Sequence, residues 1–481
     1  MDYHCEALIK FKSGPNKLWA VYKMNNTQIY LGPQYERYSG KLTLFTNTQP
    51  AANHLKFAVS AGTHLASRIF ITSFPLLLVI ILVGCKVRKP ARPTPQMDTE
   101  PQFWVRVLLL NDATDCKLKS QSPLSISIDE NLIETRQHFG QTNVPINISA
   151  SQGGINIGGE EYASKEVIIS PNEPYIFNLN GNDYRGKLKI ITNGEDQSFD
   201  AINLVPLEPY LAGVVGAEMP NYWEPEALKA QATASRTYCL YIKKRFGPTR
   251  NWDVKRTQAN QVYLGVKAES RQVWDAINTT YGQVLVCKDP DGTEDIFPTY
   301  YSSVCGGYTE NSENVFGDSF EGLVSVACPY CKNVAKSHFF FWPMVQFEKG
   351  QVTNKLQQRY PNLKRLGKII KIEVSKQSDY FGKEEKYSRL TQVKLLGSTG
   401  KSDILRGEDF RLSVDPSGRK IKSAIFQIVD LGDKWAFLSG RGFGHGVGMC
   451  QSGAQGMARE GKTAKEILGF YYRGSKIISV Y

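Results

Sequence analysis

The stretch Leu204–Arg245 decides the fold, and it reads LVPLEPYLAGVVGAEMPNYWEPEALKAQATASRTYCLYIKKR. Within it, Glu218 stands in an apolar, small-residue setting, after Gly-Val-Val-Gly-Ala and before Met-Pro. A helix is predicted shortly after this glutamate in the sequence. Pro225 suits its first turn, where a missing N–H costs nothing, and Glu224 and Glu226 suit the positive end of the helix dipole.

Small and apolar residues follow two faces of this predicted helix at three- and four-residue steps. They are Ala227, Ala230, Ala234, Thr237, Tyr238 and Tyr241 on one stripe, and Leu228, Ala232, Ser235 and Cys239 on the other. The pattern predicts a helix that is buried nearly all round. A carboxyl held rigidly beside it and shielded from water favours its protonated form, as a general acid near neutral pH requires. The alternative is that Glu218 is a surface residue preceding a helix.

Length and charge limit the class of protein. A chain of 481 residues with 41% hydrophobic content predicts a globular protein of two or three domains. The net charge of +12 is spread along the chain and favours acidic partners, namely nucleic acid, anionic lipid or a carboxylate-bearing cell-wall polymer. The chain has no arginine-rich block and no aromatic–basic RNA signature, so we expect no nucleic-acid partner.

An apolar run beginning after Arg68 is typical of an export signal, because it has the length of a secretory h-region and is short for a membrane-spanning helix. It ends in Leu-Val-Gly-Cys at residues 82–85, which looks like a bacterial lipobox and predicts cleavage before Cys85 and lipidation of that cysteine. An uncleaved signal anchor is the alternative. Both place the protein in the bacterial cell envelope, membrane-anchored and facing the periplasm. Residues 1–67 would then be an artefact of start-codon choice.

Composition divides the rest of the chain into three parts. Residues 86–101 are a Pro-rich, charged linker. Residues 102–202 show short β-like runs separated by glycine and asparagine turns, which predicts a small β-rich domain. Residues 203–481 form the predicted catalytic domain.

A possible metal site follows a strand that enters paired glycines, where the backbone at Gly306 can approach a ligand closely. Cys305 is followed by a Cys-Pro-Tyr-Cys motif formed by Cys328 and Cys331, and then by His338. These residue types, with the CxxC spacing, predict structural zinc as the cofactor. A disulfide in an oxidising compartment and free thiols remain alternatives.

A second glycine-rich segment reads GRGFGHGVGMCQSGAQGMA, at Gly440–Ala458. Its glycines permit backbone conformations closed to other residues and expose N–H groups around His445. The order of a phosphate-binding P-loop is missing. His445 inside such a loop is a candidate functional residue, and a His445–Cys450 nucleophile pair is the alternative, although no orienting acid is evident.

Three blocks follow one another in the chain: YLAGVVGAEMP with EALKAQATASRTY (Tyr210–Tyr238), YSSVCGGYT (Tyr301–Thr309) and the Gly440–Ala458 segment. Together they resemble the SpoIID/LytB family, the stage II sporulation protein D type of peptidoglycan lytic transglycosylase. The resemblance covers about Leu204 to Tyr481 and extends to a final ILGFYYRG. The family's fold implies an α+β catalytic domain with a central buried helix and β-rich surroundings, preceded here by the small β-rich domain.

The resemblance implies cleavage of glycan strands between N-acetylmuramic acid and N-acetylglucosamine, with a preference for strands stripped of stem peptides. The family's catalytic glutamate falls on Glu218. One acid suffices in this chemistry because the sugar's own 6-hydroxyl replaces water, whereas ordinary glycosidases need a second carboxylate. Arg236, Ser303, His445 and Gln451 match positions in the family blocks and are candidates for substrate binding, together with Gly306.

The chain departs from the family pattern at two positions, of which the first concerns the metal. Family members supply cysteines from the CGG and CPYC segments and a histidine shortly before CGG, where this chain has Ser302. We therefore expect His338 to be the fourth ligand, beyond what the family supports. The family also often has serine at the position of Cys450.

The alternative to an enzyme is a non-catalytic module on the same fold that binds the cell wall or modulates a cell-wall amidase, and an amidase is an expected partner in either case. A zinc peptidase is disfavoured because the chain lacks an HExxH motif.

Overall fold

The computed structural model describes residues 103–128, 144–194, 197–288, 292–381 and 386–481 with their side chains. It divides the chain into two units, residues 1–91 and residues 92–481. In the first unit it assigns backbone strands alone, which form one three-stranded antiparallel sheet and one separate pair. These strands are Lys10–Gly14, Lys17–Met24 and Thr27–Leu31, then Lys41–Thr43 and Lys56–Ala58. The expected signal, the lipobox cysteine Cys85 and the linker lie outside the described residues.

The second unit begins with two sheets, antiparallel except for one parallel pair of strands, whose inward residues alternate with outward ones as in a sandwich. Leu118, between exposed Lys117 and Lys119, shows this alternation. In the order of their strands, the six-stranded sheet contains Glu160–Tyr162, Gly154–Ile157, Thr142–Ser151, Asp115–Ser120, Ile176–Leu179 and Asn182–Arg185. The seven-stranded sheet contains Val254–Lys255, Trp104–Ala113, Ser198–Pro206, Lys187–Asn193, Glu166–Pro171, Leu124–Ser127 and Arg136–Phe139.

The β-rich part and the predicted catalytic part share one core. The strand Ser198–Pro206 runs directly into a helix, Leu207–Glu218, and Val254–Lys255 returns to pair in parallel with Trp104–Ala113. A continuous cluster of buried residues extends across both parts, from Val105 to Tyr472. The expected boundary near residue 202 is therefore a place where strands give way to helices within one packed unit.

The central helix is Pro225–Phe246, with proline in its first turn as predicted. Residues on both of its predicted stripes are buried, which confirms a helix enclosed on two faces. Its last turn carries Lys243, Lys244 and Arg245, which suit the negative end of the helix dipole. The other helices of this unit are Arg271–Thr279, Ser312–Val315, Ser337–Phe340, Lys349–Arg359, Gly407–Val414, Gln451–Arg459 and Ala464–Tyr471. Short 3-10 turns are Gly247–Thr249, Gly265–Ala268, Glu321–Leu323, Cys331–Asn333 and Pro361–Leu366.

Short strands assemble around this helix and bring the two glycine-rich blocks together. Tyr301–Ser302 pairs in parallel with Met449–Cys450, so segments almost 150 positions apart lie side by side. The antiparallel partners nearby are Gly440–Arg441 with Phe341–Trp342, and Gln283–Lys288 with Glu294–Ile296 and Lys476–Ser479.

Residues 345–438, which we call the insert, have a hydrophobic cluster of their own. Val393 and Leu395 are buried and alternate with half-buried neighbours along a strand, as expected where one face of a sheet packs on a core. The insert contains the sheets Val345–Glu348, Lys434–Leu438 and Gln427–Asp430, then Ile369–Phe381, Lys386–Gly397 and Ser402–Arg406.

The mixture of helices with largely antiparallel sheets confirms the predicted α+β class. Among the described helices, none combines the length and apolar character needed to cross a bilayer.

Candidate active site

Glu218 is the last residue of the helix Leu207–Glu218, a helix that the sequence analysis did not predict ahead of the central one. Glycines make this helix possible in a crowded place, because a Cβ at Gly213 would lie 2.4 Å from the ring of Tyr263 and one at Gly216 would lie 2.0 Å from the Ala268 carbonyl oxygen. The chain leaves the helix at Met219 in an extended conformation. The carboxyl is therefore carried on rigid, closely packed backbone.

The environment of Glu218 favours its protonated form. Burial raises the pKa of this carboxyl, while hydrogen bonds from the Val262 N–H and the Gln451 side chain act in the opposite direction. The Val262 N–H lies 2.8 Å from Oε1. The position at the negative end of a helix dipole also disfavours the charged form. The carboxyl is therefore shielded from water, as the sequence predicts.

The carboxyl faces a cleft of about 530 Å³ whose walls come from the core around the central helix and from the insert. The lining residues of the core include those of both glycine-rich blocks. They are Glu218, Tyr238, Gln258, Ala259, Asn260, Tyr300, Tyr301, Ser302, Ser303, Val315, Phe316, Phe443, Gly444, His445 and Gln451. The insert adds Arg406, Glu408, Asp409, Arg411, Leu412, Pro416, Ser417 and Gly418.

Ser303 and Gln451 line this cleft with Glu218, as their assignment to substrate binding requires. Gln451 begins the helix Gln451–Arg459, and its Nε2 lies 3.3 Å from the Gln231 side-chain oxygen on the central helix. The amide that contacts Glu218 is therefore held by a second buried amide. Ser303 is fixed to the same helix, because its carbonyl accepts a hydrogen bond from the Ser452 N–H at 3.1 Å.

His445 also lines the cleft, but both of its ring nitrogens are engaged by the backbone. Nδ1 accepts from the Val447 N–H at 3.0 Å, so Nε2 carries the proton and donates to the Tyr301 carbonyl at 2.9 Å. Burial lowers the pKa of this imidazole to about 4. The ring is thus neutral at physiological pH and fixes the glycine loop against the strand of Tyr301. A His445–Cys450 nucleophile pair is not formed, since the thiol packs elsewhere.

Arg236 lies outside the cleft. It is fully buried, and its Nε and Nη2 each contact a carboxylate oxygen of Glu208 at 2.7 Å, while Nη1 donates to the Gln283 carbonyl at 3.0 Å. The structure therefore uses this guanidinium to join two helices and a strand. Gly306 is also not among the cleft residues: its φ of +82° shapes the turn, and its carbonyl accepts from Nε of Arg441.

Three carboxyl groups line the cleft, and two of them are in ion pairs. Glu408 is paired with Arg411, and this guanidinium holds the pKa of the buried Glu408 below its usual range against the effect of burial. Asp409 Oδ2 lies 2.7 Å from Nε of Arg406. Among the described cleft residues, Glu218 alone is a carboxyl without a cationic partner.

Comparison with known proteins finds similarity in the part of the chain that contains Glu218 and the central helix. The family model described as Stage II sporulation protein matches residues 195–287, which include the helix of Glu218 and the central helix. Stage II sporulation protein D of Bacillus subtilis strain 168 is 32% identical in an alignment of 292 residues that covers 58% of this chain and 76% of the relative. The chain belongs to the SpoIID family.

Other relatives extend the similarity of this SpoIID-family protein. An uncharacterised protein of Brachyspira hyodysenteriae is 33% identical over 337 residues, covering 70% of this chain and 83% of the relative. A Bacillus subtilis protein named Amidase enhancer is 25% identical over 397 residues, covering 75% of this chain and 53% of the relative. The family model and the relatives that carry names confirm the SpoIID/LytB assignment and indicate a cell-wall-related, envelope-associated protein.

Four thiols, not three thiols and a histidine, form the candidate metal centre of this family member. The sulfurs of Cys305, Cys328, Cys331 and Cys450 all lie within 4.8 Å of one another, and all four residues are buried. His338 is exposed and stacks edge-on against Phe339, outside this group. The fourth position expected for His338 is therefore taken by Cys450.

The four thiols fit a tetrahedral metal ion. A zinc–sulfur distance of about 2.3 Å with tetrahedral angles places neighbouring sulfurs roughly 3.8 Å apart, and the Cys305 and Cys331 sulfurs are 3.6 Å apart. The described cysteines form no disulfide, which leaves the metal and free-thiol alternatives. The Cys305 N–H donates to the Cys450 sulfur at 3.2 Å, an arrangement typical of a thiolate held ready for a cation.

Sequence reasoning missed Cys450 as a ligand and the whole contribution of the insert to the cleft. The signal for Cys450 was its place directly before Gln451, within a block already assigned to the site. For the insert, the clustered charges of Arg406, Glu408, Asp409 and Arg411 were visible, but nothing local showed that they face Glu218's cleft.

Proposed function

We propose that this protein is a peptidoglycan lytic transglycosylase that cleaves the bond between N-acetylmuramic acid and N-acetylglucosamine in stem-peptide-free glycan strands. The supporting observation is Glu218, the cleft carboxyl that lacks a cationic partner and whose pKa is raised by burial. A general acid must hold its proton at the working pH, and this environment favours that state.

In the proposed reaction Glu218 acts first as an acid and then as a base. Its proton passes to the glycosidic oxygen as the bond from that oxygen to the muramyl C1 breaks. The muramyl 6-hydroxyl then bonds to C1, and its proton returns to Glu218, so the product carries a 1,6-anhydro ring and no water is consumed. The Val262 N–H and the Gln451 amide stabilise the carboxylate between these two transfers.

Hydrolysis by an ordinary glycosidase mechanism is disfavoured, because it needs a second carboxylate as base or nucleophile. Glu408 and Asp409 are committed to Arg411 and Arg406. His445 offers no free ring nitrogen as a substitute.

The test is digestion of stem-peptide-free glycan strands followed by mass spectrometry. We expect 1,6-anhydromuramyl ends with the wild-type protein and a loss of about a hundredfold or more in rate with Glu218→Gln. Glu224→Gln is the matched control, since Glu224 is exposed at the start of the central helix and outside the cleft. Absence of anhydro products with the wild type, or equal rates for Glu218→Gln, would reject the enzyme.

A non-catalytic module that binds the cell wall or modulates an amidase is the second candidate, and the relative named Amidase enhancer favours it. In that case the wild type would release no anhydro ends but would raise the rate at which a purified cell-wall amidase digests intact sacculi. Glu218→Gln would then leave this stimulation unchanged.

We also propose that Cys305, Cys328, Cys331 and Cys450 hold a structural zinc ion. When bound, the metal would supply a fixed cross-link between segments that are far apart in sequence. Metal analysis of purified protein should give one zinc per chain, lost in Cys450→Ser and retained in His338→Ala. Retention in Cys450→Ser with loss in His338→Ala would restore the histidine as ligand.

The export signal and Cys85 support the proposal of a lipoprotein anchored in the membrane of the cell envelope, where glycan strands and amidases are found.

A further inference from the structure

The insert contributes a wall of the cleft that carries two guanidinium groups, Arg406 and Arg411. These are the cationic side chains among the described lining residues, because His445 is neutral. A polymer lying in the cleft against Glu218 therefore passes a wall whose charge is set by the insert.

The N–H groups of Arg411 are committed to the protein. Its Nε contacts Glu408 at 2.9 Å, Nη2 contacts the other oxygen of the same carboxylate, and Nη1 donates to the Ile421 carbonyl at 2.9 Å. The residue is 4% exposed. Arg411 therefore supports the wall and is not available to a ligand.

Arg406 differs because it is held at one side and open at the other. Nε donates to Asp409 at 2.7 Å and Nη1 donates to the Phe316 carbonyl at 2.5 Å, which anchors the insert residue to the core. Nη2 forms no hydrogen bond with any described residue, and the side chain is 42% exposed. Two fixed contacts orient the plane of the guanidinium, so its remaining donors are preorganised towards the cleft.

We propose that Arg406 binds a carboxylate of the glycan strand and makes the cleft selective for muramyl polymers over uncharged ones. This inference rests on the proposed function only in taking a glycan as the occupant. A planar guanidinium matches a carboxylate, and the charge-assisted hydrogen bonds are stronger than those between neutral groups. The lactyl carboxylate of each muramic residue supplies the anion, and a polymer of N-acetylglucosamine alone lacks it.

The test measures binding, not cleavage, with Glu218→Gln protein so that no substrate is consumed. Affinities are compared for stem-peptide-free muramyl strands, the same strands with methyl-esterified carboxyls, and chitin oligomers of equal length. Arg406→Gln is added to this background. Arg365→Gln is the matched control, because Arg365 is also a half-exposed insert arginine in an ion pair, with Asp403, but lies outside the cleft.

We expect Arg406→Gln to weaken binding of muramyl strands about tenfold or more and to leave binding of chitin oligomers and esterified strands unchanged. Arg365→Gln should bind all three like the background protein. Equal affinity of the background protein for native and esterified strands would overturn the assignment, and so would a uniform loss for all three ligands in Arg406→Gln.

These outcomes are separate from those of the proposed reaction. If the wild-type protein releases no anhydro ends but Arg406 still discriminates native from esterified strands, the enzyme fails and the carboxylate site stands. If anhydro ends appear and esterification does not matter, the enzyme stands and the site fails.

Discussion

Replacing Arg236 by methionine should lower the stability of the folded protein without changing what its cleft binds. Arg236 matches a position in a family block, which led us to expect a role in substrate binding. In the structure it is fully buried and paired with Glu208 through two contacts of 2.7 Å. Glu208 is 8% exposed, so removal of the guanidinium leaves a carboxylate in the interior without its counter-charge.

The magnitude follows from this burial. Removing one partner of a buried, hydrogen-bonded ion pair costs about 3–5 kcal/mol, because the remaining charge loses its compensation. For the large cooperative unit that contains the pair, this corresponds to a decrease in Tm of roughly 5 °C. Replacing both partners by apolar residues, in Arg236→Met with Glu208→Leu, should recover most of the loss, since no buried charge then remains.

The assay combines thermal unfolding, followed by circular dichroism, with glycan binding below the transition. Arg236→Met should show the lower Tm and an unchanged affinity in its folded state. The reasoning fails if Arg236→Met unfolds at the same temperature as the wild type. An unchanged Tm together with lost affinity would assign the guanidinium to the ligand.

Three further predictions concern single sites. Burial raises the pKa of Glu218 above its ordinary 4.5. Ionisation of this buried carboxyl therefore does not destabilise the folded protein below that pH, and the destabilisation develops as the pH rises through the folded-state pKa. Scanning calorimetry should therefore give Glu218→Gln a higher Tm than the wild type at neutral pH and a difference that shrinks in acid. A difference independent of pH would contradict the burial argument. Gly446→Ala should lower the free energy of unfolding, measured by denaturant titration, by more than Gly461→Ala does. Both glycines have a φ of +81°, but a Cβ at Gly446 would lie 2.5 Å from Nη2 of Arg389, whereas one at Gly461 would face open space. Equal losses would show that only the backbone conformation matters. Cys85→Ser should abolish incorporation of labelled fatty acid in a bacterial host, and undiminished labelling would reject the lipobox.

The sequence predicted the parts of the site that local patterns encode. The two buried stripes of the central helix and the glycine-dependent loop around His445 follow from periodicity and from backbone freedom, which are properties of a few consecutive residues. Gly442 and Gly444 adopt positive φ values of +82° and +104°, as that reasoning requires.

What the sequence did not predict depends on partners that are distant along the chain. The role of Arg236 is decided by Glu208, and that of Cys450 by Cys305, which lies 145 positions earlier. For Arg236, the sequence did contain one indication of a buried ion pair. A charged residue within a helix that is buried on two faces must be paired, and Glu208 is an acid in the same decisive stretch. The wall formed by the insert had no such signal.

The thiol cluster and the carboxyl of Glu218 belong to one structural unit, although they were inferred from separate motifs. Cys305 lies two residues after Ser303, and Cys450 lies directly before Gln451, so both of these cleft residues are within two positions of a member of the cluster. The strands Tyr301–Ser302 and Met449–Cys450 pair in parallel at this point. A metal held by the cluster would therefore fix the spacing between Ser303 and the Gln451 amide, which is the group that contacts Glu218. In the proposed reaction the cluster would therefore act by positioning these cleft groups, and its thiols would need no contact with the glycan.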